Sequence, residues 1–218
     1  MSKTDKQPAN EKLKKQILKL KGVDFRGPEE LAEFLKKEDV RFSAHDLMAF
    51  GLILATRFGR SAGTSYVPEW LAEVFSSLVE GVSPKIICDP WAGIGLLIGI
   101  LREASMAKTV IAFTPNNGEL SLGQVIVPEA DWQVGDPLQL IDAIPSELDV
   151  VASILPMGAR TNHPLKLILP SGDAVELADD LGNLILVAAS MRLSPSGIGL
   201  FVVTPSFFFS VRSVFRRF

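Results

Sequence analysis

Between Pro68 and Gly81 the apolar residues Leu71, Val74, Phe75, Leu78 and Val79 recur every three or four positions. That spacing predicts an amphipathic helix that opens at Pro68 and stops at Gly81, with all five residues on its core side. Downstream the period changes. Short apolar runs alternate with longer helical stretches, the pattern of a parallel sheet covered by helices. The predicted strands are Lys85–Asp89, Thr109–Phe113, Trp132–Gly135, Leu148–Ile154 and Gly199–Thr204, with helices over Ile94–Glu103 and Leu181–Leu193. Leu165–Leu169 and Ala174–Leu177 flank Pro170-Ser171-Gly172-Asp173 and read as a hairpin. The stretch from Asn116 to Asp131 is short for a regular helix between strands.

Upstream of Tyr66 the pattern is helical. Leu13, Ile17 and Leu20 share a face among Lys12, Lys14, Lys15, Lys19 and Lys21. Gly27-Pro28 opens a second helix carrying Leu31, Phe34 and Leu35. Ser43 followed by Asp46 resembles a weak capping box for a third helix through Phe58. The expected organisation is a helical lobe over 1–65 and an α/β domain over 66–218. The tail from Ser206 holds five phenylalanines and then stops, so the sheet, or the natural chain, is expected to continue past Phe218.

Composition narrows the class. With 47% hydrophobic residues the chain can bury a core. Its apolar runs fall short of the ~18 residues of a membrane helix, and no apolar leader follows the first lysines. Cys88 is the sole cysteine, which fits a reducing, cytoplasmic setting. His45 and His163 stand without a carboxylate or cysteine at metal spacing, so no metal is expected. Charge is divided unevenly. Residues 1–65 carry 13 Lys and Arg against 9 Asp and Glu, whereas residues 66–218 carry 9 against 16. No Lys or Arg lies between Lys108 and Arg160. Duplex binding needs cations facing phosphates, so any DNA contact is expected through the basic N-terminal segment, another domain or another subunit.

The candidate chemistry centres on Asp89-Pro90-Trp91-Ala92-Gly93-Ile94-Gly95, placed between a strand and a helix. Glycines there permit positive φ and close approach of a ligand, and the helix start offers unpaired N–H groups. The acid at the strand end can accept a hydrogen bond from a hydroxyl or ammonium group. In an open parallel sheet, ligands bind beyond the carboxyl ends of the strands. Gly93-Ile94-Gly95 with Gly99 also fits a relaxed dinucleotide pattern, which keeps a nicotinamide or flavin enzyme open. A tight turn with no ligand is the plain structural alternative.

Asp89-Pro90-x-x-Gly93-x-Gly95 resembles the first motif of amino-methylating DNA methyltransferases, and in particular the methylation subunits of type I restriction-modification systems. Further pieces follow in that family's order. Tyr66-Val67-Pro68 resembles the segment that closes over the methionine part of the cofactor, and Gly135-Asp136-Pro137-Leu138 the third-strand end, where the Asp meets its adenine. Asp149–Gly158 takes the place of the catalytic strand and loop. The resemblance runs from about Tyr66 to Arg212. It implies a Rossmann-like class I sheet, S-adenosylmethionine as cofactor, and a specificity or nuclease subunit as partner. It places Tyr66, Pro68, Asp89, Pro90, Gly93, Gly95, Asn116 and Asp136 around the cofactor.

Two departures stand out. The family's catalytic loop reads Asn-Pro-Pro followed by an aromatic residue, and its Asn and a Pro carbonyl accept hydrogen bonds from the target amino group. Here the stretch is Ile154-Leu155-Pro156-Met157-Gly158, so Pro156 and Met157 are the substrate-facing candidates and Ile154 cannot accept. After the second strand the usual ribose-binding acid is replaced by Thr114-Pro115-Asn116-Asn117, with Glu119 slightly later. Asn116, or Glu119 reaching back, is the substitute. Catalytic competence is therefore open, with a non-catalytic cofactor-binding or scaffold relative as the alternative.

Overall fold

The computed structural model describes residues 25–48, 67–144, 147–161, 164–168, 172, 174–205 and 207. Tyr66, the lysine-rich segment before Val23 and the rest of the third predicted helix lie outside these residues.

Helix α1 spans Pro28–Lys37, with proline in its first turn, Glu29 and Glu30 at the positive end of the dipole and Lys36 and Lys37 at the negative end. Residues 44–48 are also helical. The capping box is present there: Ser43 Oγ and N both donate to Asp46 Oδ2, and Asp46 N donates back to Ser43 Oγ. Helix α2 covers Glu69–Val79, with Pro68 just outside as its N-cap. Only part of its predicted stripe faces inward. Leu71, Ala72, Phe75 and Val79 are buried, but Val74 and Leu78 are 47% and 50% exposed, as is Trp70 at 65%. Four apolar positions suffice to cover one side of α3, and the remainder face outward.

From there the chain winds β1 Ile86–Asp89, α3 Leu96–Ser105, β2 Thr109–Thr114, α4 Asn117–Ile126, β3 Asp131–Val134, α5 Pro137–Asp142 and β4 Leu148–Ile154. The hairpin β5 Leu165–Ile168 and β6 Ala174–Leu177 pairs antiparallel as expected. Helix α6 Leu181–Ser190 and β7 Leu193–Val202 follow. The main sheet has five parallel strands in the order β3-β2-β1-β4-β7. The stretch 116–131 does hold a regular helix, contrary to expectation. Asn116 accepts from Glu119 N at 2.8 Å and so nucleates α4 with no residue spent on a longer loop. The last strand starts earlier than predicted: Leu193 already pairs with Leu148, and pairing resumes at Ile198 with Val150. Ser194-Pro195-Ser196-Gly197 is thus a bulge inside the strand.

Two apolar clusters sandwich the sheet. One joins Leu31, Leu35 and Leu47 from the N-terminal helices to α2, α3 and α4, and the other joins α5, α6 and the outer side of β4. Gly99 makes the first closure possible, because a Cβ there would stand 2.6 Å from Leu47 Cδ1.

Candidate functional site

Strand order sets the location. From β1 the chain steps outward through β2 and β3, then returns to the other side of β1 with β4 and β7. The reversal leaves a crevice at the carboxyl ends of β1 and β4, where an open α/β sheet binds its ligand. Asp89 closes β1 and Ile154 closes β4, so both predicted residues arrive at that point.

Asp89 is 1% exposed. Its Oδ1 accepts from Ser153 Oγ at 2.7 Å and from Trp91 N at 3.0 Å. The first bond ties β1 to β4 across the crevice, and the second folds the turn over the strand end. Burial lifts the Asp89 carboxyl to a pKa of about 7, although the bonds from Ser153 and from the Trp91 backbone work against that rise. Burial, with the neighbouring Asp89 charge adding to it, also pushes the Cys88 thiol well above its ordinary range, so it is an inert core residue. Sequence reasoning missed Ser153. Its signal was a lone hydroxyl in the apolar second half of the strand, between Ala152 and Ile154.

The glycine turn has the backbone its residue types foretold. Gly93 and Gly95 take φ of 55° and 85°, and Gly95 is the left-handed N-cap of α3. Ala92 N donates to Phe113 O at 2.9 Å, which pins the turn to β2. Gly95 also makes room for Trp132: a Cβ on it would meet the indole at 2.8 Å, and one on Gly123 would meet it at 2.4 Å. The Trp132 indole N–H donates to Val127 O at 3.0 Å. Packing therefore requires a glycine at position 95 apart from any ligand.

The ends of β2 and β3 stand beside the turn. Thr114 Oγ1 donates to the Glu119 carboxylate, and both residues are 1% exposed. An acid thus returns to the end of β2 from the first turn of α4. Asn116 spends its amide oxygen as the cap of α4. Gly135 N donates to Thr114 O at 3.1 Å, which brings Asp136 alongside, and Asp136 Oδ1 caps α5 through Leu138 N at 2.9 Å. Pro90 is buried within the turn and Pro68 half-buried before α2.

The space at the crevice is small. Val67, Asp89, Trp91, Leu96 and Ile154 border a cavity of about 10 Å³, enough for a single water. Beyond β4, Pro156 and Met157 line a separate cleft of about 170 Å³ with Asp179, Asn183 and Thr204. Met157 is 55% exposed. The Pro156 carbonyl lies against Gly182, where a Cβ would stand 2.7 Å away, so α6 covers it. Among the described residues no group of three or more His, Cys, Asp or Glu could hold a metal ion, and no helix is long and apolar enough to cross a membrane.

Five parallel strands with this reversal and this turn form a Rossmann-like α/β fold, and solved structures of class I S-adenosylmethionine-dependent methyltransferases share it. A protein of Listeria monocytogenes assigned to that class matches with a TM-score of 0.58 and 17% identity, covering 78% of this chain and 57% of that one. The methyltransferase subunit of a type I restriction-modification system from Streptococcus thermophilus matches at 0.54 and 14%, over 73% of this chain and 38% of that one. A Staphylococcus aureus protein assigned as a caffeoyl-CoA O-methyltransferase matches at 0.52 and 10%, over 80% and 71%. This chain thus spans little more than half the length of the first and well under half of the second. No family model and no curated protein matches the sequence.

Proposed function

We propose that the chain is an S-adenosylmethionine-binding domain of the DNA amino-methyltransferase type that lacks the acceptor for amino-group methylation. The supporting observation is that Asp89 and Ile154 border one cavity at the crevice. The acid has the chemistry to hold an ammonium or hydroxyl, and a branched alkyl group occupies the place where the reaction needs a hydrogen-bond acceptor. The residues suit the cofactor in kind. Gly93 and Gly95 supply the bend, Asp89 a carboxylate, and Glu119 with Asp136 acids near the ends of β2 and β3 for ribose and adenine. The cavity is smaller than an adenosyl group, so for one to enter there the lining side chains, among them the half-buried Trp91, must move. When bound, S-adenosylmethionine would supply an electrophilic methyl group. Ile154 can neither orient nor accept a proton from the amine that should receive it, and α6 covers the Pro156 carbonyl. Oxyanion-type and positioning contacts of this kind are each worth ~10²–10³ in rate.

Calorimetry with S-adenosylmethionine and its demethylated product tests the first half, with NADH titrated in parallel. Binding of the first two, abolished by Asp89→Ala, is expected; tight NADH binding alone would replace the reading with a nicotinamide enzyme. Tritium transfer from labelled cofactor to unmethylated oligonucleotides tests the second half. Label in the DNA would show that Ile154 does not disable the site.

A further inference from the structure

The crevice at the carboxyl ends of β1 and β4 is nearly filled by the protein's own side chains. Pockets for small molecules and cofactors typically enclose ~300–1,000 Å³, whereas the space here is about 10 Å³. Most of its lining is fixed. Val67, Leu96 and Leu97 are buried in the cluster that joins α2 and α3. Asp89 is held by Ser153 Oγ at 2.7 Å and by Trp91 N at 3.0 Å. Ile154 is held by its pairing with Val202, and a β-branched side chain has few alternative rotamers. Trp91 differs. It is the bulkiest residue of the lining, it is only half-buried, and it packs with the opposite apolar cluster, that of α5 and α6. Its backbone is pinned by its own N–H on Asp89 and by Ala92 N on Phe113 O at 2.9 Å. Rotation of the Trp91 side chain is therefore the least costly way to enlarge the space.

We propose that Trp91 is an autoinhibitory gate: with its side chain lining the crevice the site is shut, and S-adenosylmethionine binds only when that side chain swings out. The inference rests on the reading of this crevice as the cofactor site. Affinity is then reduced by the fraction of molecules that stand open. A smaller side chain at position 91 removes that reduction, so truncation tightens binding. A pocket wall behaves oppositely, because truncating an aromatic side chain that packs on a ligand loses contact area. The sign of the change separates the two roles.

The test is calorimetry of S-adenosylmethionine with the full chain and with Trp91→Ala and Trp91→Leu, each variant first shown to unfold cooperatively in urea. Both are expected to bind about tenfold more tightly than the wild type, the change that an open fraction of about one tenth gives. In the wild type, cofactor binding should shift Trp91 emission to the red and raise its quenching by acrylamide as the indole moves into water. Trp91→Phe separates that signal from those of Trp70 and Trp132. The quenching measurement decides alone if neither truncated variant folds. Equal or weaker binding by the variants overturns the gate only and makes Trp91 a wall of the pocket. So does an indole whose access to acrylamide stays the same or falls when cofactor binds. Binding by the variants and not by the wild type upholds the gate. No binding by any of the three overturns the reading of the crevice as a cofactor site, and the gate with it.

Discussion

The Asp89 carboxyl controls both the stability and the ligand affinity expected of this fold. A carboxyl whose pKa is raised on folding holds its proton more tightly in the folded chain than in the unfolded one. Its contribution is thus fully present below about pH 4 and is lost as the pH rises through about 7. The loss amounts to roughly 4 kcal/mol at most. Asp89→Asn keeps the acceptor for Ser153 and the Trp91 backbone but has no charge to form. Urea denaturation of the two proteins should therefore diverge between pH 5 and 8, with the variant the more stable at pH 8. Ligand binding should run the other way. An ammonium group pairs with the ionised acid, so wild-type affinity for S-adenosylmethionine should rise with pH across the same window and release a proton. Calorimetry in buffers of different ionisation enthalpy reads that proton directly. At position 95 the constraint is steric. Gly95→Ala meets both a left-handed φ of 85° and the Trp132 ring at 2.8 Å. Left-handed strain of ~1–2 kcal/mol plus overpacking of ~1–3 kcal/mol gives an expected loss of about 2–5 kcal/mol in denaturant unfolding. Trp132→Leu should restore only the packing part.

At the scale of elements, legibility followed burial. Leu148–Ile154 was readable to the residue because β4 is central and its apolar run has no other use. α4 was not, since Asn117–Ile126 contains two glycines and has no wide apolar stripe. The helix is specified by its first turn instead, where Asn116 caps Glu119 and Glu119 reaches Thr114. The α2 stripe was misread for the opposite reason: periodicity locates an apolar face but not which part of it the core needs. For the candidate site, Asp89, Gly93 and Gly95 were legible because chain order places the end of a strand and the start of a helix together. Ser153 was not, because its link to Asp89 joins strands that meet only through the sheet's reversal. These assignments make a testable pair at α4. Asn116→Ala should cost ~1 kcal/mol as a lost N-cap. Glu119→Gln keeps the helix and the Thr114 contact but removes a charge at the end of β2. If that acid holds ribose hydroxyls, the substitution should weaken S-adenosylmethionine binding about tenfold while leaving the cap, and urea stability, nearly unchanged.

For the molecule as a whole, charge decides what can approach. The sheet's carboxyl edge gathers Asp89, Glu119, Asp136 and Asp179, and the run from Lys108 to Arg160 carries no cation between its ends. Cations elsewhere are partly spent: Arg102 pairs with Glu129 at 3.2 Å and Arg192 with Asp142 at 2.7 Å. A duplex gains affinity chiefly through phosphate contacts that release counterions, and a net charge of −3 opposes even its approach. Fluorescence anisotropy with a labelled duplex at physiological salt should therefore detect binding no stronger than the ~10⁻⁴ M of a weak non-specific contact. Lowering the salt should recover little, because few phosphates are neutralised and the slope against salt is shallow. A steep slope would place a phosphate-binding surface on this chain. A flat one means that, if DNA is the substrate, another domain or another subunit supplies the phosphate contacts.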